Sequence, residues 1–167
     1  MNGDISNEPN HDAAGPPGGV GRFTTTRRVE FADTDAAGIA HFAAFFPWME
    51  SAEHAFLRHL GIAVLPPRSV SPRLTWPRVR ATCDYRDPVR FGDELTLGVG
   101  VEHLGRSSVT YRIDVTSDGR SVATGRLVAV CCELNEDGLK RCDLPEDMRR
   151  VFEKHVVPAY VGSVDGG

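Results

Sequence analysis

Two aspartates and a glycine stand directly before a long apolar segment near the start of the chain. Asp33, Asp35 and Gly38 occur in the stretch FADTDAAGIAHF, which runs from Phe31 to Phe42. The N-terminus of a helix has N–H groups without intrahelical acceptors and a partial positive charge, so it attracts an oxyanion. A carboxylate held beside it could attack a carbonyl carbon, or activate water to do so, while the N–H groups polarise the carbonyl oxygen. This arrangement suits acyl transfer or thioester hydrolysis.

The same motif has two simpler interpretations. One is a turn capped by an Asp side chain, which requires no chemistry at all. The other is a calcium loop, because Asp33, Asp35 and Gly38 fall at its first, third and sixth positions. That pattern fails at Ala37 and at Ala44, where the twelfth position requires a bidentate Glu. The sequence therefore argues against calcium and leaves the capped turn and the catalytic loop open.

Composition restricts the class of protein. The chain has 167 residues, 41% of them hydrophobic, which is enough for one domain with a single core. A net charge of -4 argues against nucleic acid or an anionic membrane as the main partner. No signal peptide or membrane-spanning run is recognisable. We therefore expect a soluble, cytoplasmic protein.

Cysteine usage agrees with a reducing compartment. No pair has Cys-x-x-Cys spacing, which argues against a zinc site and against a disulfide framework. Cys131 and Cys132 are most simply explained as buried small apolar residues. The cysteines are Cys83, Cys131, Cys132 and Cys142.

The ends of the chain differ from its middle. Residues 1–21 are rich in Gly, Pro, Asn and Asp, cannot bury much apolar surface, and are predicted to be disordered. The tail, residues 158–167, is predicted to be flexible for the same reason. The folded domain is therefore expected to span residues 22–157.

A strand followed by a buried helix opens this domain. The strand is predicted at residues 23–31 and the helix at about 43–60, with Gly61 as its C-cap. Pro47 requires the helix to start close before it, because proline is tolerated only in the first turn. Apolar residues cover most of the helix circumference, which predicts that other elements wrap around it. The exception is a polar stripe that consists of Glu50, Glu53, His54 and Arg58.

Four antiparallel strands are predicted after the helix. Apolar and polar residues alternate at residues 78–86, 95–101 and 109–115, as in half-buried strands. The run 127–134 is apolar on both faces and is expected inside the sheet or at a subunit contact. Turn signals separate the strands at Gly92, Gly105, Gly119 and Gly138. A short helix at about 146–155 completes the order.

These residues resemble a known family. A strand, a buried helix and a four-strand antiparallel meander describe the hot-dog fold, an α+β architecture in which a five-stranded sheet wraps a long central helix. The motifs RVEFADTDAAGI (28–39), FPWMESA (46–52) and FGDEL (91–95) resemble those of the 4-hydroxybenzoyl-CoA thioesterase-like acyl-CoA thioesterases. The resemblance covers residues 23–153. It implies hydrolysis of an acyl-CoA to a carboxylic acid and free CoA, without a metal or redox cofactor.

The resemblance also assigns roles within the first motif. Asp35 corresponds to the catalytic carboxylate, which acts as nucleophile or general base, and the Phe42 backbone N–H is expected to bind the thioester oxygen. His41 either donates a proton or caps the helix. Gly38 is expected to contact the substrate, whereas Asp33 is expected to order the loop.

The remaining implications concern CoA and assembly. Arg106 and Ser107 lie in a turn where similar enzymes hold the CoA phosphates. A homodimer or homotetramer is expected, with the site at the subunit boundary. Glu50 and His54 either face a ligand or form a solvated or subunit-facing stripe. Four aromatic residues could line an acyl pocket or belong to the core: Phe45, Phe46, Trp48 and Trp76.

Two other functions remain open at this point. An acyl-thioester hydratase or dehydratase on the same fold would depend on His41 rather than Asp35. A non-catalytic acyl-CoA-binding module would retain Arg106 without needing Asp35. Because one fold hosts several chemistries, the fold alone cannot separate these alternatives.

Overall fold

The structure is a computed structural model that describes residues 22–159. The segment 1–21 and most of the predicted tail lie outside the described residues. The elements are β1 (Phe23–Arg28), α1 (Phe45–His59), β2 (Leu74–Thr75), β3 (Arg78–Tyr85), β4 (Glu94–Leu104), β5 (Ser108–Ser117), β6 (Arg120–Val130), β7 (Cys132–Asn135), β8 (Gly138–Arg141) and α2 (Glu146–Glu153). No helix among these residues is long and apolar enough to cross a membrane.

The main sheet is antiparallel, with the strand order β1-β4-β5-β6-β3. Its class agrees with the predicted α+β fold, but the predicted four-strand meander is wrong in one respect. Within this sheet, hairpins join β4, β5 and β6, whereas β3 pairs with β6 at the edge opposite β1. The tight turn between β5 and β6 has positive φ at both Asp118 (48°) and Gly119 (78°), as a two-residue hairpin requires.

Helix α1 is confirmed as the buried central element. It contacts β1, β3, β4 and β5, and seven of its residues are buried: Phe45, Trp48, Met49, Ala52, Glu53, Phe56 and Leu57. Burial of Phe45, Trp48 and Trp76 places these aromatic residues in the core, whereas Phe46 is half-buried.

The ends of α1 follow local rules. At the C-terminus, Gly61 has φ +72°, and the N–H groups of Gly61 and Ile62 donate to the carbonyls of Arg58 and Leu57, as in a Schellman cap. At the N-terminus, the helix begins later than predicted, because a 3-10 turn (Phe42–Ala44) precedes it. The Ala43 carbonyl accepts from the Phe45 N–H in this turn. Pro47 has no N–H to offer that carbonyl, so α-helical hydrogen bonding cannot start there.

The core fills the space between α1 and the concave face of the sheet. Alternate residues of β4 and β5 point inward and are completely or almost completely buried: Leu95, Leu97, Val99, Val101, Val109, Tyr111, Ile113 and Val115. The residues between them are half-buried polar residues or glycines in most cases. The predicted period-two alternation is therefore confirmed for these two strands.

Strand β3 departs from the predicted half-buried pattern. Val79 is 64% exposed and Tyr85 is 46% exposed, although both belong to the predicted apolar face. The reason is position: β3 is an edge strand, paired on one side only, and the register shifts between Arg78 and Arg80.

Two further boundaries differ from prediction. Strand β1 ends at Arg28 rather than at Phe31, because a 3-10 turn (Phe31–Asp33) follows. The run 127–134 does begin inside the main sheet, but it leaves that sheet at Cys131 and continues as β7 of a small sheet ordered β2-β7-β8. This second sheet was not predicted.

Candidate active site

The loop between β1 and α1 holds Asp35 in a defined turn. Thr34 and Ala40 form an antiparallel bridge, the Asp35 N–H donates to the Ile39 carbonyl (2.9 Å), and the Gly38 N–H donates to the Asp35 carbonyl (3.0 Å). Gly38 has φ +75°, a conformation that other residues rarely adopt. The backbone requirement explains why glycine occupies this position.

The carboxylate of Asp35 is both fixed and accessible. Its Oδ1 accepts from the Ala37 N–H (2.8 Å), so the capped turn considered from the sequence is present. The residue is exposed. The cap uses Oδ1 alone, so the turn leaves Oδ2 available for a substrate or water.

Asp33 orders this loop, as expected. Its Oδ2 accepts from the Glu30 N–H (2.9 Å) and lies 3.6 Å from the Arg27 guanidinium. Its carbonyl accepts from the His41 N–H (2.8 Å), which joins the two ends of the loop.

His41 caps the turn that leads into α1. Its Nδ1 accepts from the Ala43 N–H (3.2 Å), so the imidazole proton of the neutral ring is on Nε2. The capping role considered from the sequence is therefore present, and the exposed Nε2 edge remains available for a further contact.

The peptide units around Phe42 are fixed on three of their four polar groups. The His41 carbonyl accepts from the Ala44 N–H (2.9 Å), the Phe42 carbonyl accepts from the Tyr85 hydroxyl (2.9 Å), and the Ala43 N–H donates to His41. The fourth group is the Phe42 N–H. It occupies the first position of the 3-10 turn, where a residue has no acceptor within its own turn. The loop thus presents one oriented N–H at the helix end.

Tyr85 is a site residue that the sequence did not single out. Its ring meets Phe45 edge-on at 5.1 Å between ring centroids, and its hydroxyl reaches the Phe42 carbonyl from the end of β3. The only signal in the sequence was its place on the apolar face of a strand, which predicts packing and not this hydrogen bond.

Exposed aromatic residues flank the loop. Phe31, Phe42 and Phe91 are 78%, 62% and 61% exposed, and the rings of Phe31 and Phe91 meet edge-on at 6.2 Å. Large exposed apolar side chains near a polar loop are typical of a ligand or subunit contact.

The turn between β4 and β5 contains both residues that were predicted to bind CoA, Arg106 and Ser107, but only Arg106 is exposed. The Arg106 side chain is 86% exposed, and its Nε lies 3.2 Å from the Asp143 carboxylate. Ser107 is 2% exposed, and its Oγ accepts from the Arg141 Nε (2.6 Å). The hydroxyl of Ser107 is therefore engaged within the protein. Arg149 also donates to the Gly105 carbonyl (2.7 Å), so further guanidinium groups surround the turn.

The two predicted parts of the site lie at opposite ends of the main sheet. Arg28 at the end of β1 pairs with Glu94, whereas the turn follows Leu104 at the other end of β4. The eleven residues of β4 span roughly 30 Å. One chain does not bring Asp35 and Arg106 together.

The predicted polar stripe of α1 contains a buried carboxyl. Glu53 is completely buried, and its Oε2 accepts from Nε (3.0 Å) and Nη2 (2.9 Å) of Arg78. Its Oε1 is buried without a hydrogen-bond partner in the described part of the chain. Burial raises the pKa of Glu53 to about 7, although Arg78 opposes this shift. Glu53 therefore belongs to the polar stripe by sequence but is not exposed to solvent.

The neighbours of Glu53 complete this cluster. The Arg78 Nη2 lies 2.6 Å from the His54 Nε2, and its Nη1 lies 3.7 Å from Glu50. Burial, followed by the charge of Arg78, lowers the pKa of His54. Glu50 is the exposed member of this cluster, whereas Arg78 is half-buried and belongs to the edge strand β3.

Comparison with known proteins identifies the family. The model of the thioesterase superfamily matches residues 37–124. A 1,4-dihydroxy-2-naphthoyl-CoA hydrolase from Synechococcus sp. (strain CC9605) is 35% identical over 132 residues, which cover 77% of this chain and 87% of the relative. The chain belongs to the thioesterase superfamily. This membership makes it a thioester hydrolase and sets aside a non-catalytic acyl-CoA-binding module.

Solved structures agree with this membership of the thioesterase superfamily. A gentisyl-coenzyme A thioesterase is 30% identical, with a TM-score of 0.66, and the match covers 78% of this chain and 99% of that one. A 4-hydroxybenzoyl CoA thioesterase in complex with 4-hydroxybenzoyl CoA is 21% identical, with a TM-score of 0.70 over 79% of this chain and 99% of that one. The second similarity shows a shared fold.

Proposed function

We propose that this thioesterase hydrolyses acyl-CoA at the loop between β1 and α1, with Asp35 as the catalytic carboxylate and the Phe42 N–H as the oxyanion donor. The observation that carries this proposal is the fixed pair of peptide units around Phe42, which leaves one oriented N–H in the same loop as the accessible Asp35 carboxylate. A donor fixed in advance stabilises the developing oxyanion without reorganisation during the reaction.

Asp35 acts in one of two ways. As a nucleophile, its carboxylate attacks the thioester carbon, the CoA thiolate leaves, and water hydrolyses the resulting anhydride. As a general base, it takes a proton from the water that attacks the same carbon. Single-turnover reaction in ¹⁸O-labelled water detects the nucleophilic route when water attacks the aspartyl carbon of the anhydride, because label enters the Asp35 carboxylate only through the anhydride.

The acyl group is proposed to be a hydroxylated aromatic acid. The relatives with 30% identity or more include proteins named for dihydroxynaphthoyl-CoA and gentisyl-CoA. The exposed rings of Phe31, Phe42 and Phe91 are proposed to offer an aromatic surface to the acyl group.

Thiol release from a panel of acyl-CoAs tests the activity and the acyl class together. We expect hydroxyaryl-CoA to be hydrolysed faster than unsubstituted aryl-CoA, and both faster than long-chain acyl-CoA. Absence of thiol release throughout the panel, with hydration of an enoyl-CoA instead, would favour the hydratase alternative and His41.

The complete site is proposed to form between two copies of the chain. Strand β3 is an open edge that runs from Arg78, at the end of the sheet near the turn, to Tyr85, beside the Asp35 loop. Antiparallel pairing of two such edges about a twofold axis places the turn end of one copy toward the Asp35 end of the other. In such a dimer, Asp35 of one copy and Arg106 of the other would lie on the same side of the interface, whereas within one chain they are far apart.

The nucleotide part of CoA is proposed to bind at the turn between β4 and β5. Arg106 supplies an exposed guanidinium, and phosphate is a preferred partner of such groups. Asp143 competes for the same guanidinium, so binding requires the phosphate to displace or share this ion pair. Ser107 is proposed to hold the turn in shape through Arg141, because its hydroxyl is buried.

A further inference from the structure

Two cysteines that the reaction does not use lie in contact. The Sγ atoms of Cys131 and Cys142 are 3.5 Å apart, and both thiols are free. Cys131 leaves the end of β6, whereas Cys142 follows β8, so residues 132–141 form the small hairpin between them.

The backbone geometry suits a covalent link. The hairpin pairs Cys132 with Arg141, and the next pair outward in the same register is Cys131 with Cys142. The Cys142 N–H donates to the Cys131 carbonyl (3.0 Å), so the two residues remain opposite each other beyond the strand ends. Directly opposed residues of antiparallel strands have Cα atoms about 4.5–5.5 Å apart. This separation falls within the range of natural disulfides.

The two thiols differ in accessibility. Cys142 is half-buried, whereas Cys131 is completely buried. Burial and the neighbouring Cys142 thiol raise the pKa of Cys131 to about 12. Cys142 is therefore the thiol that a small oxidant meets first, and Cys131 is placed to react second.

We propose that Cys131 and Cys142 form an oxidisable dithiol, which a peroxide converts into an intramolecular disulfide. The Cys142 thiolate attacks one oxygen of hydrogen peroxide, takes up that oxygen as a sulfenic acid, and releases the other as water. The Cys131 sulfur then attacks the Cys142 sulfur, and the sulfenic oxygen leaves as water. Two thiols and one peroxide give one disulfide and two water molecules, so sulfur is oxidised and the peroxide is reduced.

The disulfide would link the two segments that hydrogen-bond to the turn between β4 and β5. The Cys131 N–H donates to the Ser107 carbonyl (2.8 Å), and the Leu144 N–H, two residues after Cys142, donates to the Arg106 carbonyl (2.9 Å). A link between the cysteines closes a short loop in the unfolded chain and stabilises this corner of the fold. The inference does not depend on the proposed catalytic role of Asp35, because its readouts need no substrate.

The experiment is peroxide treatment of the full-length protein, followed by thiol titration in denaturant and peptide mapping without reduction. We expect free thiols to fall from four to two and the intact mass to decrease by two hydrogens. A linked peptide should contain Cys131 and Cys142, and dithiothreitol should restore all four thiols. The melting temperature should rise by about 5 °C on oxidation.

Two matched variants test whether the disulfide involves Cys131 and Cys142 rather than the adjacent Cys132. Cys132→Ser changes the adjacent buried cysteine and should leave both the linked peptide and the rise in melting temperature intact. Cys142→Ser should abolish both. The mapping of the wild-type protein needs no variant, so it decides the proposal even if Cys142→Ser folds poorly.

Three outcomes would overturn the proposal. The first is retention of four thiols under conditions that fully oxidise free glutathione. The second is a link from Cys142 to Cys83 or Cys132 instead of Cys131. The third is a covalent dimer on a non-reducing gel in place of the intramolecular product.

Discussion

Met49 of the central helix occupies the space into which a β-carbon at position 125 would project. Gly125 lies in β6, and the three atoms nearest to such a β-carbon all belong to the buried Met49 side chain. The contact joins α1 to the middle of the sheet. A glycine in the interior of a strand, usually unfavourable, is explained here by this close approach.

Gly125→Ala should therefore destabilise the protein, because the added methyl group forces Met49 out of its place. We expect a loss of about 2 kcal/mol in the free energy of unfolding, measured by urea denaturation. Gly98→Ala is the matched control, since its β-carbon would meet only the Asp114 carbonyl at 3.9 Å. Equal losses in the two variants would contradict the packing argument, and Met49→Ala should relieve the cost at position 125.

Asp35→Asn should remove catalysis while preserving the turn. The amide oxygen can still accept from the Ala37 N–H, but the side chain is neither a nucleophile nor a base. We expect kcat to fall by roughly a hundredfold or more, with the melting temperature little changed.

Asp33→Asn is the control for this prediction. Asp33 contacts the Glu30 N–H and Arg27, so its replacement should weaken the loop and reduce kcat by less than about tenfold. If Asp35→Asn retained near-normal turnover while His41→Ala abolished it, the role assigned to Asp35 would be abandoned.

Arg106→Ala should affect substrate binding more than chemistry. Loss of a phosphate contact removes binding energy shared by the ground and transition states, so KM should rise about tenfold with little change in kcat. Asp143→Ala should lower KM about twofold, because it frees the Arg106 guanidinium. Both effects should vanish with a truncated pantetheine thioester, and equal effects on the two substrates would exclude recognition of the CoA nucleotide.

Glu53 should make stability depend on pH in the direction opposite to an ordinary ion pair. Its pKa is raised from 4.5 to about 7 by burial, so between these values only the folded state retains the proton. The contribution of Glu53 to the free energy of unfolding is therefore fully present below pH 4.5 and is lost as the pH rises through 7. Relative to Glu53→Gln, the wild-type free energy of unfolding should fall by about 3 kcal/mol at most between pH 5 and pH 8.

His54 contributes the opposite trend to both proteins. Its lowered pKa means that the unfolded state takes up a proton first as the pH falls below 6.5, which costs stability in acid. Comparison of wild type with Glu53→Gln largely cancels this contribution. A difference that stays flat across the range would show that Glu53 does not titrate in the folded protein.

Val79→Lys should disrupt assembly if β3 is the subunit boundary. A charge on an exposed edge strand opposes pairing with a second copy. We expect a smaller sedimentation coefficient than that of the wild type, together with a loss of turnover. Leu139→Lys is the control, because Leu139 is also an exposed edge residue (57%) but belongs to the small sheet. Monomer formation by Leu139→Lys alone would move the boundary to that sheet.

Local sequence rules account for much of the fold. Gly61 and Asp118-Gly119 mark a helix end and a hairpin because their backbone conformations are decided within a few residues. The place of β3 could not be predicted in this way. Its partners in β6 are 38 to 51 residues further along the chain (Tyr85 with Ala123, Arg78 with Ala129). Nothing in the alternation of residues 78–86 indicates which strand lies beside β3 or that one side of β3 stays open.

In the candidate site, too, local features could be predicted from the sequence, whereas features that depend on tertiary contacts could not. The turn around Asp35 and Gly38 follows from their residue types and spacing. The hydrogen bond from Tyr85 to the Phe42 carbonyl and the burial of Ser107 arise from tertiary packing. Glu53 is the clearest example of what the sequence could not predict. Helical periodicity places it on a polar stripe, whereas its burial depends on Arg78, 25 residues further along the chain.

The order of strands in the sheet predicts the order in which parts of the candidate site fold. Strands β4, β5 and β6 are neighbours in sequence, whereas β1 and β3 join the two edges through contacts between distant parts of the chain. Contacts of short sequence separation form with the smallest loss of chain entropy, so we expect the central meander to fold first. The loop with Asp35 follows β1, and Tyr85 ends β3. The loop with Asp35 is thus held between the two elements that are expected to dock last, and amide exchange there should be faster than in β5.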